Sequence, residues 1–484
     1  MLNAFKEESN LTTTENGAVA YRSTHSSCLD LFATCGALRG EEPSEICHKF
    51  LRAYVEDPDA AIKILFYARD VRGGLGERRF FRIVLRYLAN QKTQSVLKNL
   101  RNVPEYGRFD DLLELLGTPC EAALGEYLKE QLRSDLRNLQ AGKPVSLLAK
   151  WLPSVNASGS KAQAKQICKL LHMTEKEYRQ TLSRLRAEID VPETHLCRGD
   201  YSFDYEKIPS KALFQYRKAF SVHDTKNYET YIRDVSENRK KMNTSTLYPY
   251  ELIRAVDQDE GEALNDSLDA AWNALPDYTD GRNAIAVVDG SGSMYGSYNE
   301  NSPRPIDVAL SLGLYFAERN KGKFANHFIT FSSTPRLIEI KGNTLRDKVQ
   351  YCRSYNEVAN TNLCAVYALI LRTAVKYKLP QSELPEMIYI LSDMQFDMGV
   401  EPSARPIETA RKYYEKYGYR LPQIVYWNLC ARRDAFPVDM NEKGVALFSG
   451  ASPSLFRQAM SCDITPFGMM KSILASERYR DLCA

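Results

Sequence analysis

At 484 residues the chain is too long for one ordinary hydrophobic core, so two or three domains are expected. Hydrophobic residues make up 44% and charged residues 26%, which excludes disorder over the bulk, and a net charge of +3 means that clues to partners have to come from local patches. Eleven Cys, scattered singly without a CxxC pair, exclude a disulfide framework and point to reduced thiols and a cytoplasmic location.

In chain order, residues 1–24 are expected to form a polar, loosely ordered tail, with acidic residues where a signal peptide needs an apolar core. No apolar run approaches the ~20 residues that span a bilayer, so no membrane partner is expected. From residue 25 to 275 the apolar spacing is helical almost throughout, and Cys28 and Cys35, one heptad apart, read as small buried hydrophobes on one helix face. Residues 46–91 read as two or three amphipathic helices broken at Pro58 and at Gly73-Gly74. Further helices are predicted at DDLLELLG, CEAALGEYLKEQLRSDLRNLQ, KAQAKQICKLLH, TEKEYRQTLSRLRAEID, PSKALFQYRKAFSVHD and KNYETYIRDVSENRKK. Consecutive helical hairpins of irregular period predict a HEAT-like stack of helix pairs.

Within that half, YARDVRGGLGERRFFRIVLRYLA is strongly basic. Arg69, Arg72, Arg78, Arg79, Arg82 and Arg86 face only Asp70 and Glu77 in the same stretch. Arg78, Arg82 and Arg86 recur every four residues and line one helix face, with Phe80, Phe81, Val84, Leu85 and Leu88 on the buried side. Gly73-Gly74-Leu75-Gly76 just before this helix leaves its positive end open to a phosphate; a solvated Arg face after a tight turn explains the pattern equally well. Weaker cationic and aromatic positions follow at Lys150-Trp151, Tyr178-Arg179, Arg184, Arg186, Lys211, Tyr216-Arg217-Lys218 and His223. Such residues clamp phosphates and stack on unpaired bases, although charged faces are also usual on helical repeats.

The linker WNALPDYTDGRN marks a boundary, and residues 280–484 change texture. AIAVVD, KFANHFITFS, PRLIEIKG, EMIYILSD, QIVYWNLCAR and VALFSG are predicted strands, most of them separated by helical segments. That alternation predicts an α/β domain, a mainly parallel sheet with helices on both faces; KFANHFITFS and PRLIEIKG form a hairpin with one antiparallel edge strand.

The run AIAVVDGSGSMYG places Asp289, Ser291 and Ser293 at the carboxyl end of its strand, where open α/β sheets bind ligands. Asp393 follows the strand MIYILS in the same way, and Thr361 lies in the loop SYNEVANTNL before another helix. DxSxS alone is equally compatible with an Asp helix cap. Two carboxylates and three hydroxyls from three loops are hard oxygen donors of the kind that Mg²⁺ accepts.

This segment resembles a von Willebrand factor A domain with a metal-ion-dependent adhesion site, on Asp289, Ser291, Ser293, Thr361 and Asp393. The resemblance implies a doubly wound sheet and a Mg²⁺ or Mn²⁺ ion with one position open to a partner's carboxylate. It departs from that family at Ala359-Asn360-Thr361, where a glycine often precedes the threonine. His327, the only His of this half, is expected on a sheet face, and no nucleophile elbow, P-loop, HExxH or Cys-His pair occurs, so metal-mediated binding is expected rather than catalysis.

The order of the two halves resembles the Ro/TROVE ring proteins. More specifically, ARDVRGGLGER, VPEYGRFDDLL, LLAKWLPS, YRQTLSRLR, KIPSKALFQYRKAF and LSDMQFD resemble a related family without a settled activity. The resemblance covers residues 25 to 475. It implies a helical ring closed by the α/β domain and binding of non-coding or misfolded RNA; the candidate contacts, read from the cationic pattern above and not matched to that family residue by residue, are Arg69, Arg72, Arg78, Arg79, Arg82, Arg86, Lys150, Arg179, Arg186, Lys211, Lys218 and His223. The alternative expectation, from another class, is a protein-interaction module whose metal captures a partner's carboxylate; an unrecognised hydrolase ranks third.

Overall fold

The structure, a computed structural model, describes residues 8–189, 191–202, 204–259, 261–279, 281–296, 302–355, 360–399, 404–459 and 465–484. A helical half is followed by a six-stranded sheet. The first breaks fall where the sequence places them. Helix Pro43–Glu56 stops at Asp57, whose carboxylate accepts a hydrogen bond from the Ala60 amide (2.9 Å) and so caps the next helix, Pro58–Arg69, with Pro58 at its first position. Helix Arg78–Gln91 packs on both. Later pairs follow in the same manner, Glu121–Gln140 against Lys161–Leu171 and Thr225–Ser236 against Glu262–Asn273. The predicted helix DDLLELLG is instead a 3-10 helix, Phe109–Leu115, because Asp111 turns back to accept the Arg108 amide (3.0 Å) and faces the arginines of the neighbouring helices.

The sheet order is β5-β4-β3-β6-β7-β8, with β3 Ala284–Asp289, β4 His327–Phe331, β5 Leu337–Glu339, β6 Met387–Ser392, β7 Gln423–Asn428 and β8 Val445–Ser449. All neighbours are parallel except β4 and β5, which form the expected antiparallel hairpin at the edge. The chain leaves β3 toward β4 and β5, then returns to β6 on the opposite side of β3. The crevice between β3 and β6 is therefore the point where the winding reverses.

Burial on both faces explains the near-continuous apolar strands. Ala286, Val288, Tyr389, Leu391, Val425, Trp427 and Phe448 share one core with the helical half, while Ile285, Val287, Ile388, Ile390, Tyr426 and Leu447 face a second core under helices Leu363–Tyr377 and Pro406–Lys416. The two halves are thus joined through apolar packing rather than by the linker alone. Polar contacts reinforce the join. Asp70 accepts hydrogen bonds from Arg478 and from the Tyr479 hydroxyl (3.0 Å), the Gly36 amide donates to Ser449 Oγ (3.0 Å), and Lys49 pairs with Asp434. Helix Pro249–Val256, late in the helical half, packs against Pro305–Arg319 of the sheet domain. Early and late helices both dock on the sheet domain, so the chain path closes on itself.

The expected loose tail is corrected from Leu11 onward. β1 Leu11–Thr13 and β2 Val19–Tyr21 form an antiparallel hairpin, and Ala18 and Tyr21 enter the second core. Tyr21 and Phe436 exchange both backbone hydrogen bonds at 2.8 Å, and the Ala18 amide donates to the Phe396 carbonyl (3.3 Å). Three small or aromatic residues suffice because the backbone pairing satisfies the polar remainder.

Helix Pro305–Arg319 lies so close to β3 that a Cβ on Gly313 would stand 2.4 Å from Val288 Cγ2. Gly313→Ala is expected to lower stability by about 1–3 kcal/mol, read from the urea midpoint, and Val288→Ala in the same chain should recover part of the loss because it removes the clashing methyl.

Candidate functional site

Parallel pairing sets Val288 beside Leu391, and therefore brings Asp289 next to Ser392 with Asp393 one residue beyond. Asp289 is fully buried; its Oδ1 accepts the Ser291 amide (2.9 Å) and its Oδ2 the Ser392 hydroxyl (2.5 Å). Asp393 is 1% exposed, and its Oδ1 accepts the Gln395 amide (3.2 Å). Its Oδ2 has no hydrogen-bond partner, although Arg432 Nη2 stands 3.3 Å away as an ion pair. Ser291 Oγ and Ser293 Oγ lie 3.0 Å apart, and Arg432 also donates to the Ser293 carbonyl. Met394 adopts φ +66°, a left-handed turn that is costly for a non-glycine residue and reverses the chain directly after Asp393.

Burial pushes the Asp289 carboxyl up, and the nearby Asp393 charge adds to the rise, against the hydrogen bonds from Ser392 and Ser291. Asp393 is likewise raised by burial, opposed by the Ser293 hydroxyl and Arg432. Two carboxylates side by side in a dry crevice favour a cation between them.

Thr361, 1% exposed, is held against the loop that follows Asp393. Its hydroxyl donates to the Gln395 carbonyl (2.6 Å), lies 3.4 Å from Asp397 Oδ1 and accepts Asn16 Nδ2 (3.3 Å). Asn362 caps the helix that follows by accepting the Ala365 amide (2.9 Å). Ala359, where the chain departs from the adhesion-site pattern, lies outside the described residues. Among the described residues no group of three or more His, Cys, Asp or Glu is close enough to hold a metal ion. A cation here would thus rely on Asp289 and Asp393 completed by the hydroxyls of Ser291, Ser293 and Thr361. The donor set fits a hard divalent ion, with Asp393 Oδ2, which accepts no hydrogen bond and faces only the Arg432 ion pair, as its most direct point of attachment. His327 is elsewhere, at the amino end of β4, with its ring bonded to the Ala325 carbonyl (2.7 Å).

Sequence reasoning missed Ser392, Asp397, Arg432, Glu15 and Asn16. Ser392 and Asp397 belong to LSDMQFD, and Arg432 follows β7, so the carboxyl-end rule that found Asp393 also reaches them. Asn16-Gly17 between short alternating runs is the signal for the hairpin.

The arginine face of Arg78–Gln91 is corrected. It packs along the 109–115 segment and is engaged by the acids there, with Arg82 partly buried and Arg78, Arg79 and Arg86 exposed. Arg82 Nε donates to Asp111 (2.6 Å) and Arg78 to Asp110 (2.8 Å), while Arg69, 2% exposed, donates to Asp111 (2.8 Å). Arg86 binds the Glu114 carbonyl (3.1 Å), Arg79 the Glu41 carbonyl (2.7 Å), and Arg72 pairs with Glu105 (3.0 Å). The glycine run before the helix is a packing device: a Cβ on Gly74 would meet the Tyr67 carbonyl oxygen at 2.0 Å. The Leu75, Gly76 and Glu77 amides already donate to carbonyls of Tyr67, Asp70 and Ala68, which removes the phosphate cradle.

The remaining cations divide. Lys150 pairs with Glu193 (3.3 Å), Lys211 with Glu251, and Lys218 with Asp259 (3.0 Å). Arg186 donates to the carbonyls of Ala149 (2.8 Å) and Leu152 (2.7 Å). His223 stacks on Tyr201 with ring centres 6.0 Å apart, and Arg179 is exposed.

The sequence model of the family described as "Domain of unknown function (DUF2828)" matches residues 14–126 and 121–277, more than half of the chain. The chain belongs to this family. A second model, "Domain of unknown function (DUF7788)", matches residues 283–468, the segment that holds the whole crevice. "Uncharacterized protein L728" of Acanthamoeba polyphaga mimivirus is 29% identical over 511 residues, covering 96% of this chain and 87% of that one. The crystal structure of the Deinococcus radiodurans RO (RSR) protein superimposes with a TM-score of 0.40 at 14% identity, covering 92% of this chain and all of that one. The family match begins at residue 14, so it includes the hairpin turn that docks beside Thr361.

Removing Asp111 strands the buried Arg69 guanidinium. Asp111→Ala is expected to cost about 3–5 kcal/mol by chemical denaturation, and Asp110→Ala less, because its partners Arg78, Arg82 and Arg108 are all partly exposed and the first two keep Asp111.

Proposed function

We propose that the sheet domain is of the von Willebrand factor A type and acts as a divalent-cation-dependent binding module. Mg²⁺ or Mn²⁺ is held by Asp289, Ser291, Ser293, Asp393 and Thr361. When bound, the ion supplies a Lewis-acidic position that takes an acidic group of a ligand. The observation that carries this reading is Asp393 Oδ2, a buried carboxylate oxygen without a hydrogen bond, beside a second buried carboxylate. A desolvated carboxylate pair costs several kcal/mol unless a cation compensates it. Arg432 supplies part of that charge from the rim. Binding rather than turnover is favoured because His327 sits at the opposite end of its strand from the crevice.

A second reading, RNA binding by the HEAT-like helical half, is favoured by a different surface from the arginine face. Residues 161–188 carry seven Lys or Arg against three Glu. In helices Lys161–Leu171 and Glu175–Glu188, Lys161, Lys169, Lys176, Arg179 and Arg184 are exposed and form no ion pair among the described residues. An unneutralised cationic hairpin is the electrostatic footprint expected for a phosphate backbone.

Mn²⁺ titration of the full chain, followed by electron paramagnetic resonance, is expected to show one bound ion. Asp393→Asn should weaken it by about tenfold or more with an unchanged unfolding midpoint; a wild-type chain that binds no Mn²⁺ ends the cation reading. For RNA, anisotropy with a labelled single strand should show affinity falling with salt by a log–log slope of about −0.7 per phosphate contacted. The triple charge reversal at Lys169, Lys176 and Arg179 should abolish it, while Arg78→Ala leaves it intact.

A further inference from the structure

The hairpin between β1 and β2 ends on the candidate cation crevice. Its turn, Thr14 to Gly17, closes through the Gly17 amide and the Thr14 carbonyl (3.1 Å) and is tied down on every side to the loop that follows Asp393. Thr14 Oγ1 donates to the Phe396 carbonyl (2.5 Å), the Glu15 amide to Gln395 Oε1 (2.9 Å), Asn16 Nδ2 to the Gln395 carbonyl (2.7 Å), and the Met398 amide to the Asn16 carbonyl (3.1 Å). Asn16 also contacts the Thr361 hydroxyl. These bonds fix the backbone of Glu15 at the rim while leaving its side chain 35% exposed. The Glu15 carboxylate rests 3.6 Å from Arg433 Nε, and the preceding residue, Arg432, neutralises Asp393. Two adjacent arginines therefore hold two carboxylates that would otherwise repel: burial raises Asp393 most, and Glu15 is among the charges that add to the rise.

We infer that Glu15 is the chain's own carboxylate for this site: with a divalent cation bound between Asp289 and Asp393, Glu15 leaves Arg433 and occupies the position otherwise open to an outside acidic group. The inference rests on the cation reading above. A partly exposed ion pair at 3.6 Å holds weakly, and a glutamate side chain on a pinned backbone has the reach and freedom to turn from one cation to another. An external carboxylate then has to displace Glu15, so the hairpin sets how readily the site accepts a ligand.

The test uses the full chain with Mn²⁺ as probe. Glu15→Ala is expected to lower Mn²⁺ affinity about tenfold without moving the unfolding midpoint, and acetate, but not chloride, should restore most of it by filling the vacated position. Arg433→Ala, which frees Glu15 from its present partner, should leave affinity unchanged or raise it. If wild type binds Mn²⁺ and Glu15→Ala binds it equally well, the inference falls while the site stands. A loss that acetate does not restore gives Glu15 a merely structural part and also overturns it. Wild type without Mn²⁺ binding removes both readings together.

Discussion

Two buried carboxylates held side by side are the constraint around which the sheet domain is arranged. Asp289 and Asp393 end adjacent parallel strands, and the β3–β6 register leaves them no freedom to part. Everything around them lowers the cost of that pairing. Backbone amides of Ser291 and Gln395 point at them, Ser392 donates from the neighbouring strand, and Arg432 closes the rim. A fold that only needed stability would place apolar side chains at such positions, since replacing buried charges by well-packed hydrophobes is often neutral or favourable. Here both acids are retained, and Asp393 Oδ2 accepts no hydrogen bond.

The same crevice is where distant parts of the chain converge. The hairpin at residues 11–21 reaches it from the amino-terminal end, the β7 loop brings Arg432 and Arg433, and Thr361 arrives from the loop before helix Leu363–Tyr377. The sheet that carries it shares one face with the helical core, so the crevice stands on packed side chains of both halves. Asp70 does the corresponding work on the helical side, where it gathers Arg478 and Tyr479.

Legibility in the sequence followed the kind of signal each element carries. All six strands of the large sheet were readable, because burial on both faces demands unbroken β-branched or aromatic runs, and the antiparallel edge showed in the short break between β4 and β5. Asp289, Ser291, Ser293 and Asp393 were readable from their position after strands. The hairpin left a weaker trace, since its strands are three residues long and held largely by backbone pairing, and only Asn16-Gly17 between them signals the turn. The 3-10 segment at 109–115 read as an α-helix because its apolar spacing suits either; the arginine contacts that decided it are tertiary.

The arginine stretch shows most clearly what charge counting along a chain leaves out. Its six Arg stand against two acids locally, yet Asp110, Asp111 and Glu105, which neutralise four of them, lie some thirty to forty residues further on. A net local charge becomes a surface property only if the compensating charge is absent in space, not in sequence. Among the described residues, the segment 161–188 meets that condition in part: Lys161, Lys169, Lys176, Arg179 and Arg184 are exposed without an ion pair, and Glu177 caps Thr174 rather than pairing. Any attraction of this chain for a polyanion should thus reside on that hairpin. The crevice, lined by Asp289 and Asp393, carries the opposite local charge.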